Sequence, residues 1–198
     1  APGVNLNQFG IDGVRAMVSF LKNSPKLTTI MVNGNVNFCP ECLNILMNAL
    51  DGKGVRKLDF EGCSIYDISA LETYNLPNLR HLDLSNNIIG RNGCTILAGL
   101  LQNDGSKLVQ LHLKNTGLHD EDIVTIANSL KHNTKLKTLY LGGNNAIGNR
   151  GYAAFLKLLV DVSSIENTYN SNHILRELEL NRWNSMNFWI DYACINNR

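Results

Sequence analysis

No apolar run in this 198-residue chain approaches the roughly 20 residues needed to cross a bilayer, and no lipidation signal is visible. The opening Ala-Pro-Gly-Val offers neither a basic n-region nor an apolar h-region, so no signal peptide is expected there. An excess of one charge is also missing. Eighteen Lys and Arg face 17 Asp and Glu, and a net charge of +1 gives no electrostatic footprint for nucleic acid or an anionic membrane. The five cysteines are odd in number and irregularly spaced, which does not suggest a disulfide framework. Asparagine is abundant, yet no Asn-x-Ser/Thr glycosylation acceptor occurs. Together these absences favour a reducing, cytoplasmic setting.

What the chain does have is material for a core. A hydrophobic content of 44% beside 18% charged residues is ordinary for a soluble globular protein and argues against disorder.

That material is periodic. A Leu-x-x-Leu-x-Leu pattern starts at Leu27, Val55, Leu79, Leu108, Leu136 and Leu175, so the units run 28, 24, 29, 28 and 39 residues apart. Eight positions after each start stand Asn35, Cys63, Asn87, Thr116, Asn144 and Trp183. A stacked parallel strand buries its apolar side chains and turns the residues between them to the other face. The sharp turn that follows leaves carbonyls inside. An Asn amide supplies two donors for them, and Cys or Thr supplies one.

Helical spacing follows the strands in Ile89–Leu101, Leu118–Leu130 and Ile147–Leu159. Asp120, Glu121 and Asp122 place acids in the first turn of the second of these. Phe9–Leu21 superimposes on Ile89–Leu101 at a constant offset of 80. That offset makes Val4 the last core residue of a truncated first strand, Asn7 its asparagine and Gly3 its middle outward-facing residue.

Units of this length reading L-x-x-L-x-L-x-x-N-x-I-G-x-x-G, each followed by a helix, resemble the ribonuclease-inhibitor-like class of leucine-rich repeats. Ran GTPase-activating proteins and NOD-like receptors carry repeats of that class. The resemblance covers nearly the whole chain. It implies an α/β fold, a right-handed solenoid bent into a horseshoe arc with a concave parallel sheet and outer helices. Residues 1–198 are then one domain of about seven units, the first (1–26) truncated and the last (175–198) a C-terminal cap.

Three departures from the pattern carry expectations. The short Val55 unit leaves room outside for a single helical turn or a 3₁₀ piece between Ile65 and Leu76. The long Leu136 unit has a surplus around Ser163–Asn172, read as a longer outer helix or a protruding polar loop. Trp183, Phe188, Trp189, Ile190 and Tyr192 suit an aromatic cap over the open core. The start lacks such a cap, so the chain is expected to be an excerpt of a longer protein.

Motifs for chemistry are sparse. Cys39-Pro-Glu-Cys42 has no second ligand pair for zinc, and Cys42 falls at the same repeat position as Cys94, which favours packing over redox chemistry. No phosphate-binding loop, Gly-x-Ser-x-Gly elbow or His-Glu-x-x-His occurs, so no enzymatic activity is expected and no cofactor is implied.

The concave face is more informative. One outward column reads Thr29, Lys57, His81, Gln110, Thr138, Glu177, the middle one Met31, Asp59, Asp83, His112, Tyr140, Glu179, and the third Asn33, Glu61, Ser85, Lys114, Gly142, Asn181. Asp59, Glu61 and Asp83 form an acidic spot beside His81 and His112, with Lys114 and Tyr140 next along. A metal held by Asp59, Asp83 and His112 is one reading, and opposite charges paired across strands is the plainer one. The favoured function is protein binding by Asp59, Glu61, His81, Asp83, His112, Lys114 and Tyr140, in a monomer that binds neither nucleic acid nor membrane. The resemblance also raises a Ran-type GTPase-activating protein and an inhibitor of a basic enzyme. The missing acidic tail weakens the first, and near-neutral charge with few cysteines weakens the second.

Overall fold

Each repeat begins with apolar residues alternating with polar ones, the period-2 pattern of a strand buried on one side. The computed structural model describes residues 3–5, 9–180, 190 and 193–194. Its strands are β1 (Gly3–Asn5), β2 (Thr29–Met31), β3 (Lys57–Asp59), β4 (His81–Asp83), β5 (Gln110–His112), β6 (Thr138–Tyr140) and β7 (Glu177–Glu179). They form one parallel sheet in chain order. Ile30, Leu58, Leu82, Leu111 and Leu139 pair in register down its centre, and all five are fully buried. At roughly 1.5–3 kcal/mol for each buried leucine, this row is a large share of the driving force.

The helices α1 (Ile11–Lys22), α2 (Pro40–Leu50), α3 (Ala70–Thr73), α4 (Gly90–Gln102), α5 (Asp120–Ser129) and α6 (Asn149–Leu159) alternate with the strands, and each touches the next. Their apolar stripes, such as Ile96, Leu97 and Leu101 on α4, close the core against the leucines. The short unit does hold a single turn, α3. In the long unit α6 stops at Leu159 and a separate helix α7 (Ile165–Tyr169) follows, started by the Ser164 side chain accepting from the Asn167 N–H at 3.0 Å. The chain is an α/β solenoid of repeats.

The first unit corrects the expected register. Val4 pairs with Ile30 and Gly3 with Thr29, so Asn5, not Gly3, joins the middle column. Phe9 still holds the position of Ile65 and Ile89, donating its N–H to Asn35 Oδ1 at 2.6 Å as Ile65 does to Asn87 at 2.8 Å. The link from strand to helix is therefore two residues shorter in this unit than in its neighbours. The sequence allows this register, since Val4-Asn5-Leu6 alternates as Leu82-Asp83-Leu84 does. Asn7 lies outside the described residues, as do Trp183, Phe188, Trp189 and Tyr192 of the expected cap. Ile190 is described and buried.

The asparagine positions do what the turn requires, and more. Asn87 Nδ2 donates to the carbonyls of Phe60, Leu84 and Ser85 at 2.8, 2.9 and 3.1 Å. Its Oδ1 accepts from the N–H groups of Cys63 and Ile65 in the preceding unit. Asn144 repeats this, donating to Leu113 and Leu141 and accepting from Thr116 and Leu118. Asn35 donates to Val32, while Cys63 Sγ and Thr116 Oγ1 each donate to a turn carbonyl, of Val32 and Leu113. Each amide thus satisfies its own turn and stitches it to the previous one.

The residue before each ladder position is Gly34, Gly62, Asn86, Asn115 or Gly143, with φ of 76°, 64°, 58°, 52° and 79°. The turn enters the left-handed region there, which glycine occupies freely and asparagine tolerates.

Candidate functional site

The in-register strands place every residue of one column beside its counterpart on the next strand, about 4.8 Å away. Asp59 pairs with Asp83, Asp83 with His112, and His112 with Tyr140. The polar residues between the buried leucines therefore share one face, and the seven expected site residues lie together on it.

Their contacts are specific. His112 Nδ1 lies 3.0 Å from Asp83 Oδ2, with both side chains mostly covered. His81 sets its Nδ1 2.5 Å from Gln110 Oε1 and its ring edge-on to His112, with centroids 4.6 Å apart at 69°. The His112 ring in turn stacks on Tyr140 at 4.6 Å and 31°. Lys114 Nζ sits 4.7 Å from the centre of the Tyr140 ring and 2.7 Å from Glu179 Oε2. Tyr140 donates its hydroxyl to Glu177 Oε1 at 2.6 Å. At the other end Lys57 Nζ stands 3.5 Å from Asp59, and Glu61 accepts from Asn86 Nδ2 at 2.8 Å.

The expected acidic spot is thus largely paired. Lys57 faces Asp59, His112 faces Asp83, and Lys114 faces Glu179. Lys57, Gln110, Glu177 and Glu179 belong to the cluster although they were not among the seven. Their signal was in the columns, because each stands directly opposite or diagonal to a chosen residue.

The environment shifts several groups. Burial pushes the Asp83 carboxyl up, but hydrogen bonds from His112 and Ser85 outweigh it and hold the group below its usual range. Burial dominates at His81 and lowers its pKa, favouring the neutral ring. The Glu177 carboxylate beside the Tyr140 hydroxyl, with some burial, pushes that phenol up to about 12.

Two sets of ligand atoms on this face lie within 4.8 Å of one another, one from His81, Asp83 and His112 and one from Asp59, Glu61 and Asp83. The trio read from the sequence, Asp59, Asp83 and His112, is divided between them. A cation in either set has to displace partners already in place, His112 from Asp83 or Lys57 from Asp59.

Leucine-rich-repeat family models match residues 53–93, as two copies, and 132–156. The chain is 31% identical over 144 residues to the bovine (Bos taurus) "NACHT, LRR and PYD domains-containing protein 3", covering 69% of this chain and 14% of that protein. It is 27% identical over 165 residues to the mouse (Mus musculus) "NACHT, LRR and PYD domains-containing protein 5", covering 80% and 12%. Among solved structures it resembles the tropomodulin C-terminal domain of Caenorhabditis elegans, at TM-score 0.60 and 14% identity over 93% of this chain and 92% of that one. It also resembles the leiomodin-1 actin-binding site 2, at TM-score 0.58 and 16% identity over 92% and 87%. These two likenesses are of fold.

The chain belongs to the leucine-rich-repeat proteins. Its repeats are of the NOD-like receptor type, and it spans about one seventh of the length of the curated relatives it matches. Among the described residues no helix is long and apolar enough to cross a membrane.

Proposed function

We propose that this chain is a protein-interaction module that takes its partner on the concave face of the sheet, through Asp59, Glu61, His81, Asp83, His112, Lys114 and Tyr140. The observation that carries this reading is the His81–His112–Tyr140 stack. Three rings on three adjacent strands are held by Gln110, Asp83 and Glu177 and remain partly accessible. Rings already fixed in place lose little conformational freedom when a partner covers them, and aromatic side chains dominate the energetics of interfaces. The mixed charges around them suit a partner segment with an apolar centre and polar flanks of both signs.

The relatives and neighbours support a protein partner. The leiomodin structure names an actin-binding site on a domain of the same fold, and the curated relatives carry their repeats inside much longer chains. We read this chain in the same way, as the recognition segment of a larger cytoplasmic protein, with no catalytic role. A photo-crosslinking amino acid at Tyr140, compared with one at the exposed Thr125 on the helix side, tests the face. The proposal expects the same partner adduct from Tyr140 repeatedly and none from Thr125. Adducts arising only from Thr125 place the partner on the outer surface and overturn it.

A further inference from the structure

The sequence motif that the binding face leaves unused is Cys39-Pro-Glu-Cys42. Its two sulfurs lie 3.3 Å apart at the N-terminus of α2, an 11-residue helix with Pro40 in its first turn. Cys39 is the N-cap and half-buried, and Cys42, one turn in, is fully buried. Packing accounts fully for Cys42 and only in part for Cys39, which touches the core but stays half-exposed. Cys42 occupies the repeat position of Cys94, which is buried too. The position of Cys39 is filled in other units by Ile11, Asp67, Arg91, Asp120 and Gly148, so only the first of them puts an apolar group against the core there. The repeat has no need of sulfur at residue 39.

We propose that Cys39 and Cys42 form a thiol–disulfide exchange site, with Cys39 the attacking sulfur, Cys42 the resolving one, and a small disulfide such as oxidised glutathione as co-substrate. The accessible thiol stands at the helix N-terminus, where the N–H groups and the helix dipole favour a thiolate. Bonding the pair closes the gap from 3.3 Å to the disulfide length, a movement of about 1.3 Å within reach of side-chain rotation.

The two thiols are also electrically unlike. Burial opposes ionisation of Cys39, but the backbone N–H groups of Cys42 and Glu41 and the Cys42 thiol outweigh it and lower its pKa. Cys42 is pushed up to about 11 by burial and by Cys39 beside it. This is the asymmetry that exchange requires, one ready nucleophile and one reserve thiol.

The steps balance. The Cys39 thiolate attacks one sulfur of glutathione disulfide, whose S–S bond breaks, and the departing glutathione takes up the proton Cys39 gave to solvent. Cys42 then loses its proton and attacks the Cys39 sulfur, releasing the second glutathione, which takes that proton. Two protein thiols are oxidised by two electrons to one disulfide, and one glutathione disulfide is reduced to two thiols. The negative charge that raised the Cys42 pKa is gone once Cys39 sits in the mixed disulfide.

Cys63 and Cys94 serve as internal controls. Both are buried, with thiols pushed up to about 11 and about 12. The experiment equilibrates the protein in graded mixtures of reduced and oxidised glutathione, quenches it in acid, and maps thiols by alkylation and mass spectrometry. The expected product lacks the mass of two hydrogens on the peptide holding Cys39 and Cys42, while Cys63 and Cys94 still alkylate. Cys42→Ser should trap glutathione on Cys39. On the reduced wild-type protein, Cys39 should alkylate at least about tenfold faster than Cys63 or Cys94. This last readout needs no variant to fold. A glutathione adduct that persists on wild-type Cys39 while Cys42 alkylates, or equal reactivity at Cys39, Cys63 and Cys94, overturns the proposal.

Discussion

Across the β4–β5 strand pair, His112 Nδ1 lies 3.0 Å from Asp83 Oδ2, and Asp83 Oδ1 accepts from the Ser85 N–H at 2.9 Å. Both oxygens of one mostly covered carboxylate are thus engaged, and the imidazole is fixed edge to face with His81 on the one side and stacked on Tyr140 on the other. The contact joins the electrostatics of the face to its aromatic surface. A change of protonation at Asp83 therefore acts on stability as well as on the shape a partner meets.

Stability should fall in two separate windows as the protein is acidified. His81 has a lowered pKa, so the unfolded chain binds its proton first, and stability is lost as pH falls below about 6.5. Asp83 also has a lowered pKa, so the stability it contributes is present above about pH 4 and lost as pH falls through its folded value. His81→Gln should flatten the melting-temperature profile as pH falls below about 6.5, and Asp83→Asn should flatten the acid limb below about pH 4. Thermal melts across pH check this. A wild-type profile flat through both windows contradicts it.

Asn87→Ala should be among the most damaging single changes. It leaves carbonyls of Phe60, Leu84 and Ser85 and N–H groups of Cys63 and Ile65 buried without their partner. The loss should be about 3 kcal/mol or more. Cys63→Ala, at the same repeat position, removes one weak donor to Val32 and should cost about 1 kcal/mol. Urea denaturation of the two variants gives the comparison, and equal losses would mean the amide ladder is not what ties the turns together.

How much of this was legible depended on where the chain repeats itself. Six strands and their shared register followed from alternating apolar and polar residues, because a slip of one position would turn Leu82 or Leu111 outward. Val4 was misphased because the offset of 80 read from the helix was carried across a link two residues shorter, although Val4-Asn5-Leu6 alternates as Leu82-Asp83-Leu84 does. The seven site residues were legible as neighbours, since column and strand spacing fix adjacency. Their pairings were not, because Lys57 reaching Asp59 and Lys114 reaching Glu179 depend on side-chain torsions that spacing leaves open. The acceptor half of each asparagine is a contact between units, and no single repeat contains it. The positive-φ column from Gly34 to Gly143 was visible in principle as a position alternating between glycine and asparagine.

Two glycines should respond to alanine in opposite ways. Gly99 lies in helix α4 with open space where a Cβ would stand, so Gly99→Ala should stabilise by about 0.5–1 kcal/mol. Gly143 has φ +79°, and a Cβ there would fall 1.7 Å from Asn115 Oδ1, the end of a side chain that also donates to Asn86. Asn115 can swing away only by giving up that bond. Gly143→Ala should destabilise by about 2 kcal/mol. Melting temperatures moving in the same direction would refute the assignment of the turn.

The binding face makes the most demanding prediction. His112 and Tyr140 supply ring surface at its centre, whereas Glu61 stands exposed at its rim with Asn86. Central aromatic residues carry binding energy that rim charges do not, since a rim charge stays in water and is screened by salt. His112→Ala or Tyr140→Ala should weaken the partner at least about tenfold, which corresponds to about 1.4 kcal/mol. Glu61→Ala should change affinity less than about threefold, and chiefly through the association rate at low salt. Tyr140→Phe separates ring from hydroxyl. It keeps the stack on His112 and the Lys114 contact and loses only the bond to Glu177, so it should retain most of the affinity. Titration calorimetry or surface resonance with the crosslinked partner reads all four. If Glu61→Ala weakens binding more than Tyr140→Ala, the rings are a structural stack and the partner engages the rim instead.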